Sequence, residues 1–411
     1  MSGWLAYVRT NARFLCAGVL LTFLSSFGQT FFISVFAGAI RSDFGLNHGQ
    51  WGGVYLVGTM AAALVMIWGG GLADRIRVQL LGALVLVLLA GACLFMAVNT
   101  VVWLLPLGIF ALRFAGQGMT SHLAEVATAR WFLGTRGRAL AIAGLGFALG
   151  HAVLPIAVVE GLQRFEWRML WGAAALVVVA GLPVLFWLLS QERVPQSTLE
   201  TPQSLGMRGQ HWTRHACLHH WLFWMMVPAL LGPAAFNTVY FFHQVHFSAI
   251  KGWSHLGLVA QFPLYMGVSI LAMLGFGWAQ DRWGTARILP FYQLPMGVAF
   301  LCFAWAEDLA WNLVGMVAMA ITHGGNATLL PAFWAEFYGT RFLGAIKAFA
   351  AAVVVLGSAL GPGISGVLID SGIGLETQYL GAVVYFLGAS ALVLVGVRLA
   401  RPLLPVAGGA R

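Results

Sequence analysis

Residues 70–98 read GGLADRIRVQLLGALVLVLLAGACLFMAV, a short charged turn followed by an uncharged apolar stretch. The apolar part, residues 79–98, is long enough to cross about 30 Å of hydrocarbon as a helix, since each residue adds about 1.5 Å. The turn before it carries Asp74, Arg75 and Arg77. This stretch therefore predicts a transmembrane helix that begins at a charged loop.

The composition extends this pattern to the whole chain. Hydrophobic residues make up 60% of the 411 residues and charged residues only 9%, whereas soluble domains carry about 25% charged residues. The apolar blocks predict twelve transmembrane spans, numbered in chain order: 14–36, 51–73, 79–98, 102–123, 138–158, 169–189, 219–241, 256–278, 287–305, 309–331, 342–364 and 378–398. We therefore predict an all-α membrane protein.

The basic residues predict the orientation. With the N-terminus in the cytoplasm, 16 of the 22 Lys and Arg residues lie on the cytoplasmic side and four on the other. The two that remain, Arg113 and Lys347, lie within spans. Because cytoplasmic loops are enriched in Lys and Arg, we expect both termini in the cytoplasm. Short loops and tails favour a bacterial inner membrane.

The two halves of the chain repeat one pattern. When the sequence is shifted by 207 residues, Asp74-Arg75 coincides with Asp281-Arg282, and Pro155 coincides with Pro362. Glycines coincide in the same register: Gly70 with Gly277, Gly108 with Gly315, Gly118 with Gly325, Gly137 with Gly344 and Gly150 with Gly357. Such repetition predicts two parallel six-helix bundles, over 1–189 and 219–411, joined by a polar cytoplasmic linker over 190–218.

The duplicated loop resembles the signature loop of the major facilitator superfamily, G-x-x-x-D-R-x-G between spans 2 and 3. The copy from Gly277 to Gly284 has the complete form, whereas the first copy has Arg77 where glycine is usual. The resemblance covers essentially the whole chain. It implies a transporter whose two six-helix bundles enclose a solute site near the membrane midplane.

The same resemblance implies a gating role for the loop. Asp74 would face the start of span 11 and Asp281 the start of span 5, where the positive end of a helix dipole attracts a carboxylate. These contacts would close the cytoplasmic side in one state only. Alternatively, both aspartates cap turns and the adjacent arginines bind lipid headgroups. The predicted gating set comprises Gly70, Asp74, Arg75, Gly277, Asp281, Arg282 and Gly284.

Arg113 is the most informative single residue, because it lies midway along span 4. A guanidinium at the bilayer centre costs at least about 2.5–3.5 kcal/mol unless it faces a cavity or a partner. No Asp or Glu lies midway along any predicted span. We therefore predict that Arg113 receives an anionic solute, since its forked donors suit a carboxylate or phosphate. The alternative is a structural or proton-linked arginine, which the resembled family also has on span 4.

Further polar residues lie on the spans that line the cavity in the resembled family. The predicted solute-binding set comprises Arg113, Gln117, Gln29, Asn237, Tyr240, His323, Asn326 and Lys347. Gln117 follows Arg113 by four residues and Asn326 follows His323 by three, so each pair shares a helix face. A hydrogen bond between helices is the alternative for each of these residues. His151 and His323 are candidate proton carriers or structural histidines.

Lys347 lies early in span 11. It either reaches the cavity or extends to the surface and pairs with Glu336. The overall texture resembles the monocarboxylate and oxalate/formate branches of the superfamily, which use cationic residues in their cavities, including one on span 11. This chain lacks the arginine that those branches usually have on span 8, because residues 255–280 contain none.

We predict a secondary transporter of a small organic anion, with a monocarboxylate as the candidate solute, that works by alternating access with a proton as candidate coupling ion. An exporter of neutral or anionic hydrophobic compounds is the alternative. No nucleophile with a base is evident, so an enzyme is not predicted. His211, His215, His219 and His220 have helical spacing, but the tryptophans around them favour an interfacial helix over a metal site. We expect no cofactor, no metal and no nucleic-acid partner, and a monomer in the bilayer.

Overall fold

The computed structural model describes residues 2–132, 134–191 and 204–405, with the side chains of 2–6 and Asp74 left out. Every regular element in these ranges is a helix. The twelve spans have these main helices: Ser2–Leu24, His48–Gly69, Val78–Val98, Leu105–Leu112 continuing to Trp131, Arg136–Leu162, Trp167–Leu188, Trp221–Phe242, Phe262–Trp283, Leu294–Trp305, Leu309–Tyr338, Leu343–Asp370 and Leu375–Ala400. Among the described residues, eleven helices are long and apolar enough to cross a membrane, and Leu294–Trp305 is a shorter apolar helix. The predicted multi-pass, all-α fold is confirmed.

The chain divides into two compact units. Unit 1 comprises Met1–Leu199 together with Phe241–His246, and unit 2 comprises Glu200–Tyr240 and Phe247–Arg411. The repeat is visible in how spans 3 and 4 pack, and how spans 9 and 10 pack. A Cβ added to Gly108 would lie 2.6 Å from Met96 Sδ, and one added to Gly315 would lie 2.4 Å from Phe303. Met96 and Phe303 are themselves 207 residues apart, so both units repeat the same close contact.

An ion pair at one end of each unit follows the same register to within two residues. In unit 1, Arg168 pairs with Asp43 and donates to Asn99 O at 3.0 Å. In unit 2, Lys251 pairs with Glu376 and donates to Ala304 O at 3.3 Å. Lys251 corresponds in register to the acidic Asp43, and Glu376 corresponds to the basic Arg168. The position of the ion pair is therefore repeated in unit 2, but the positive and negative residues are exchanged.

Span 1 is broken, contrary to the prediction of one helix over 14–36. The helix Ser2–Leu24 continues as a 3-10 turn over Ser25–Gly28, and Gln29 then has an extended backbone (φ −87°, ψ 152°). Short helices follow over Thr30–Ile33, Ser34–Phe36 and Ala37–Phe44. The Ser25 hydroxyl donates to Thr22 O at 2.7 Å, and such a bond competes with the backbone ladder.

Span 9 is also broken, so the prediction of a helix over 287–305 was wrong in its first part. A short helix, Thr285–Ile288, is followed by a turn over 289–293 and the helix Leu294–Trp305. Proline lacks an N–H and disfavours a helical conformation in the residue before it. Pro290 and Pro295 lie at and just after the turn, which explains the interruption.

The predicted linker over 190–218 lies partly outside the described residues, which omit 192–203. Its described end packs against the end of span 10. The Trp212 N–H donates to Tyr338 O at 3.1 Å, and the Thr340 N–H donates to Ser204 O at 3.1 Å. Met207 and Trp212 are buried, so this end is a packed segment and not a uniformly polar connection.

Candidate functional site

The break in span 1 lies beside Arg113 on span 4. The Arg113 Nη1 group donates to Gly28 O at 3.3 Å and to Thr30 Oγ1 at 3.2 Å, one on each side of the extended Gln29. Gly28 ends a 3-10 turn, where unpaired carbonyl groups give partial negative charge. The guanidinium therefore stabilises the break in span 1 by donating hydrogen bonds to oxygen atoms on both sides of it.

Arg113 is 3% exposed. Its remaining partner is Tyr55 of span 2, whose ring centre lies 5.3 Å from the guanidinium carbon and whose hydroxyl lies 2.5 Å from Thr30 Oγ1. A ring face attracts a cation, but it does not neutralise one. Within the described residues no carboxylate pairs with Arg113, and its Nε–H is buried with no hydrogen-bond partner.

Span 4 has a π-helical segment from Arg113 to Thr120, where a regular helix was predicted. Such segments are rare and recur at functional sites. Spans 1 and 4 cross here in direct backbone contact, since a Cβ added to Gly28 would lie 2.1 Å from Leu112 O and one added to Gly116 would lie 2.6 Å from Gly28 Cα. Only glycine permits this approach, which brings the Arg113 guanidinium to the break.

Gln29 and Gln117 lie in the same part of unit 1. Gln29 is the extended residue of the break, and Gln117 belongs to the π-helical segment. Neither side-chain amide makes a hydrogen bond to another described residue, and neither is completely enclosed. Their amide groups are thus free to bind a solute, and their predicted role in solute binding stays a prediction.

A cavity of about 350 Å³ lies within unit 2. Three predicted residues line it, namely His323 and Asn326 of span 10 and Lys347 of span 11. The other lining residues are apolar: Leu230, Ala327, Leu330, Pro331, Trp334, Ala350, Ala351 and Val354. Cavities of this size with apolar walls and a few polar groups are typical of small-molecule sites.

Lys347 lines this cavity and is exposed. Of the two alternatives from sequence, pairing with Glu336 is not what the structure shows, since no ion pair joins these two described residues. Asn326 is oriented by Tyr292, whose hydroxyl donates to Asn326 Oδ1 at 3.0 Å. The donor groups of Lys347 and of the Asn326 amide make this cavity suited to an anion.

The structure separates the two predicted residues of span 7. The Tyr265 hydroxyl donates to Asn237 Oδ1 at 3.2 Å, and the Tyr265 ring lies 5.8 Å from the His323 ring, so Asn237 is near the cavity. Tyr240 is fully buried, donates to Asn312 Oδ1 at 2.9 Å and stacks on Phe303. Because its hydroxyl is satisfied within the core, we leave Tyr240 out of the candidate site.

The histidines before span 7 pack against their neighbours. His219 Nδ1 lies 2.9 Å from His215 O, and the His220 ring packs against Trp212 at 4.7 Å. Burial and the nearby Arg208 lower the pKa of His220. No group of three or more His, Cys, Asp or Glu in the described ranges is arranged to hold a metal ion.

The family model described as Major Facilitator Superfamily matches residues 18–362. The chain belongs to the major facilitator superfamily. Members of this superfamily are membrane transporters and not enzymes, so the corresponding predictions from sequence are confirmed.

This superfamily member is similar in sequence or in structure to three known transporters. A gallate transporter of Pseudomonas putida is 25% identical over 378 residues, which cover 84% of this chain and 82% of that protein. An inward-facing, unoccupied bacterial homologue of the human lysosomal transporter Spinster has a TM-score of 0.71 at 16% identity, covering 97% and 99% of the two chains. The nucleoside transporter NupG has a TM-score of 0.67 at 15% identity, covering 94% and 99%. The two structures show the fold alone.

The superfamily loop differs between its two copies in a way that explains the departure at Arg77. Gly284 has φ +79°, a conformation that favours glycine, whereas Arg77 has φ −58°. The first loop is attached to span 4, because Arg130 Nη1 donates to Ala73 O at 3.0 Å and His122 Nε2 lies 3.2 Å from Gly70 O. The Asp74 side chain lies outside the described part, and the gating role of the loop residues stays a prediction.

We expect Asp281→Asn to reduce transport about tenfold, because an amide loses most of the attraction of a carboxylate for a helix N-terminus. Initial uptake rates in proteoliposomes are the measurement, with membrane insertion checked by quantitative blotting. Asp308→Asn is the matched control, since Asp308 caps span 10 by accepting from Trp311 N at 2.9 Å and asparagine caps equally well. Wild-type uptake by Asp281→Asn would remove this residue from the gate.

Several residues of the candidate site were not predicted from the sequence. Tyr55, Tyr265 and Tyr292 each orient a predicted residue or its partner, yet aromatic residues are common in every span. Tyr292 and Gln293 did have a signal, because they lie between Pro290 and Pro295. Two closely spaced prolines predict a turn, and residues in a turn point in directions that a continuous helix would not allow.

Proposed function

We propose that this chain transports small organic anions by alternating access, with aromatic monocarboxylates as the leading class. The observation that carries the proposal is the buried guanidinium of Arg113, which no carboxylate neutralises among the described residues. A solute that brings its own negative charge would compensate this cation without a permanent partner. The fork of donors on arginine favours a carboxylate, which accepts two parallel hydrogen bonds.

The cavity of unit 2 supports the same class of solute. Lys347 supplies a second positive charge, and Trp334 and Pro331 provide flat apolar walls. A carboxylate on an aromatic ring satisfies both parts, since its charged end suits the ammonium and its ring suits the walls. The relative from Pseudomonas putida is named for gallate, an aromatic carboxylate. We propose the bacterial inner membrane as the location, with both termini in the cytoplasm.

The proposal is tested by uptake into proteoliposomes that contain the purified protein. The panel comprises benzoate, 4-hydroxybenzoate, gallate, lactate, formate, oxalate, inorganic phosphate, glucose, uridine and a lipophilic dye. We expect saturable uptake of aromatic carboxylates, and stimulation by an inward proton gradient if a proton is the coupling ion. Uptake restricted to uridine, glucose or the dye would overturn the proposal, and the dye result would favour the exporter.

We expect Lys347→Gln to raise the KM for the transported carboxylate about tenfold, because one charge-assisted hydrogen bond contributes about 1.5 kcal/mol or more. Lys347→Arg keeps the charge and should retain most of the affinity. Arg341→Gln is the matched control, since Arg341 lies on the same segment, is exposed and packs over Phe342 away from the cavity. If the carboxylate KM rises in Arg341→Gln and not in Lys347→Gln, Lys347 is not the cationic contact.

A further inference from the structure

Proline at position 233 leaves a gap in the hydrogen-bond ladder of span 7. A helical carbonyl accepts from the N–H four residues later, and proline has no N–H. Ala229 O therefore has no partner within its own helix. Gln293 Nε2 of span 9 donates to this carbonyl at 2.6 Å, and Tyr292 Oη of the same span lies 3.2 Å from it.

Two consecutive residues reach one carbonyl because span 9 is interrupted where they lie. Neighbouring residues of a regular helix point in different directions, so Tyr292 and Gln293 could not converge from an unbroken span. Both side chains are buried, each about 1% exposed. The turn over 289–293, which the prolines of span 9 produce, thus fills the gap that the proline of span 7 creates.

The Tyr292 hydroxyl has two acceptors within reach, Ala229 O and Asn326 Oδ1, so its hydrogen must be assigned to one of them. The Gln293 amide has two hydrogens, and they go to Ala229 O and to Tyr292 Oη at 2.9 Å. The Tyr292 hydroxyl has only one, and we assign it to Asn326 Oδ1 at 3.0 Å, because Ala229 O already accepts from Gln293 and lies farther away, at 3.2 Å. With its carbonyl oxygen engaged, Asn326 keeps its NH₂ group for the cavity that it lines.

We propose that Tyr292 is a positioning residue for solute recognition, which holds Asn326 so that its amide donors face the cavity. Tyr292 does not line the cavity, so it acts only through Asn326. Without this bond, the Asn326 amide is free to rotate and to present its oxygen to the solute, which opposes an anion. The inference rests on the proposed function only in taking the solute to be negatively charged. The role of Tyr292 in holding Asn326 rests on the hydrogen bonds alone.

A double-mutant cycle in proteoliposomes tests the proposal with wild type, Tyr292→Phe, Asn326→Ala and the double variant. For the solute that the wild type transports, we expect Tyr292→Phe to raise KM about threefold to tenfold with kcat within about twofold. The double variant should have the KM of Asn326→Ala, because the phenol acts through that amide. Multiplied effects, or a wild-type KM for Tyr292→Phe, would overturn the proposal.

Tyr385→Phe is the matched control. Its hydroxyl donates to Pro228 O of span 7 at 2.8 Å, so the variant loses a similar bond to the same span without touching Asn326. We expect it to lower the melting temperature and to leave KM unchanged. An equal rise of KM in Tyr385→Phe would show a general effect on span 7 and contradict a positioning role.

Failure of the proposed function is distinguishable from failure of this inference. If only neutral solutes are taken up, the anion proposal fails, and the KM cycle with the neutral solute still decides whether Tyr292 acts through Asn326. The melting temperatures of the same four proteins form a second cycle that needs no solute. Additive changes in melting temperature would show that the two residues are not coupled, which would overturn the inference whatever the solute.

Discussion

Replacing Arg113 by glutamine is expected to lower kcat/KM for a carboxylate solute about 100-fold while the protein still inserts into the membrane. The variant removes the positive charge and the forked donors, and a hydrogen bond between charged groups contributes about 1.5–3 kcal/mol. Proteoliposome uptake gives the rate, and the rise in melting temperature with added carboxylate gives binding. Wild-type protein should be stabilised by the carboxylate, and Arg113→Gln should not.

Two further variants separate solute binding from a structural role. Arg113→Lys keeps the charge but loses the fork, so weak carboxylate binding should survive. Thr30→Val removes the hydroxyl that accepts from Arg113 and that is hydrogen-bonded to the Tyr55 hydroxyl, while the guanidinium stays in place. We expect Thr30→Val to lower the melting temperature and to keep stabilisation by the carboxylate. Equal stabilisation of wild type and Arg113→Gln by the carboxylate would show that Arg113 only braces the break in span 1.

Replacing Gly28 by valine is expected to abolish the folded protein. Even the Cβ of the new side chain would lie 2.1 Å from Leu112 O and 2.7 Å from Gly116 Cα, and these are backbone atoms that cannot move aside. Spans 1 and 4 would have to separate, which removes the contact between Arg113 and the break. Size-exclusion chromatography in detergent should show loss of the monodisperse peak.

Gly91→Val is the matched control on span 3. A Cβ at Gly91 meets nothing within 4 Å, so the same change of residue should leave the elution profile and the melting temperature unchanged. Gly28→Ala should also lose the monodisperse peak, because the clash is already made by the Cβ itself. A monodisperse, wild-type-like Gly28→Val would show that spans 1 and 4 do not cross at this point.

The spans and the repeat could be predicted from local sequence for a physical reason. Hydrocarbon accepts a backbone only when every polar group is paired within the segment, so the stretch 79–98 predicts its own helix without knowledge of its neighbours. The match of Asp74-Arg75 with Asp281-Arg282 is likewise visible in the letters alone. Arg113 and Lys347 were noticeable because charge within an apolar span is rare.

The arrangement around those residues depends on contacts between spans. Arg113 has Gly28 O to bind only because Gly116 lets span 4 touch span 1, and no local pattern in either span predicts that meeting. Tyr240 looked like His323 and Asn326 in sequence, yet its hydroxyl is satisfied in the core.

The sequence by itself determined that this chain is a multi-span membrane protein of two repeated halves with two cations inside its spans, because the cost of polar groups in lipid acts residue by residue. Only the tertiary structure decided that spans 1 and 9 are interrupted and which side chains converge on Arg113 and on the cavity beside Lys347. A carbonyl released by a proline or a broken turn must find a donor from another span, and the packing of the spans decides which donor is near.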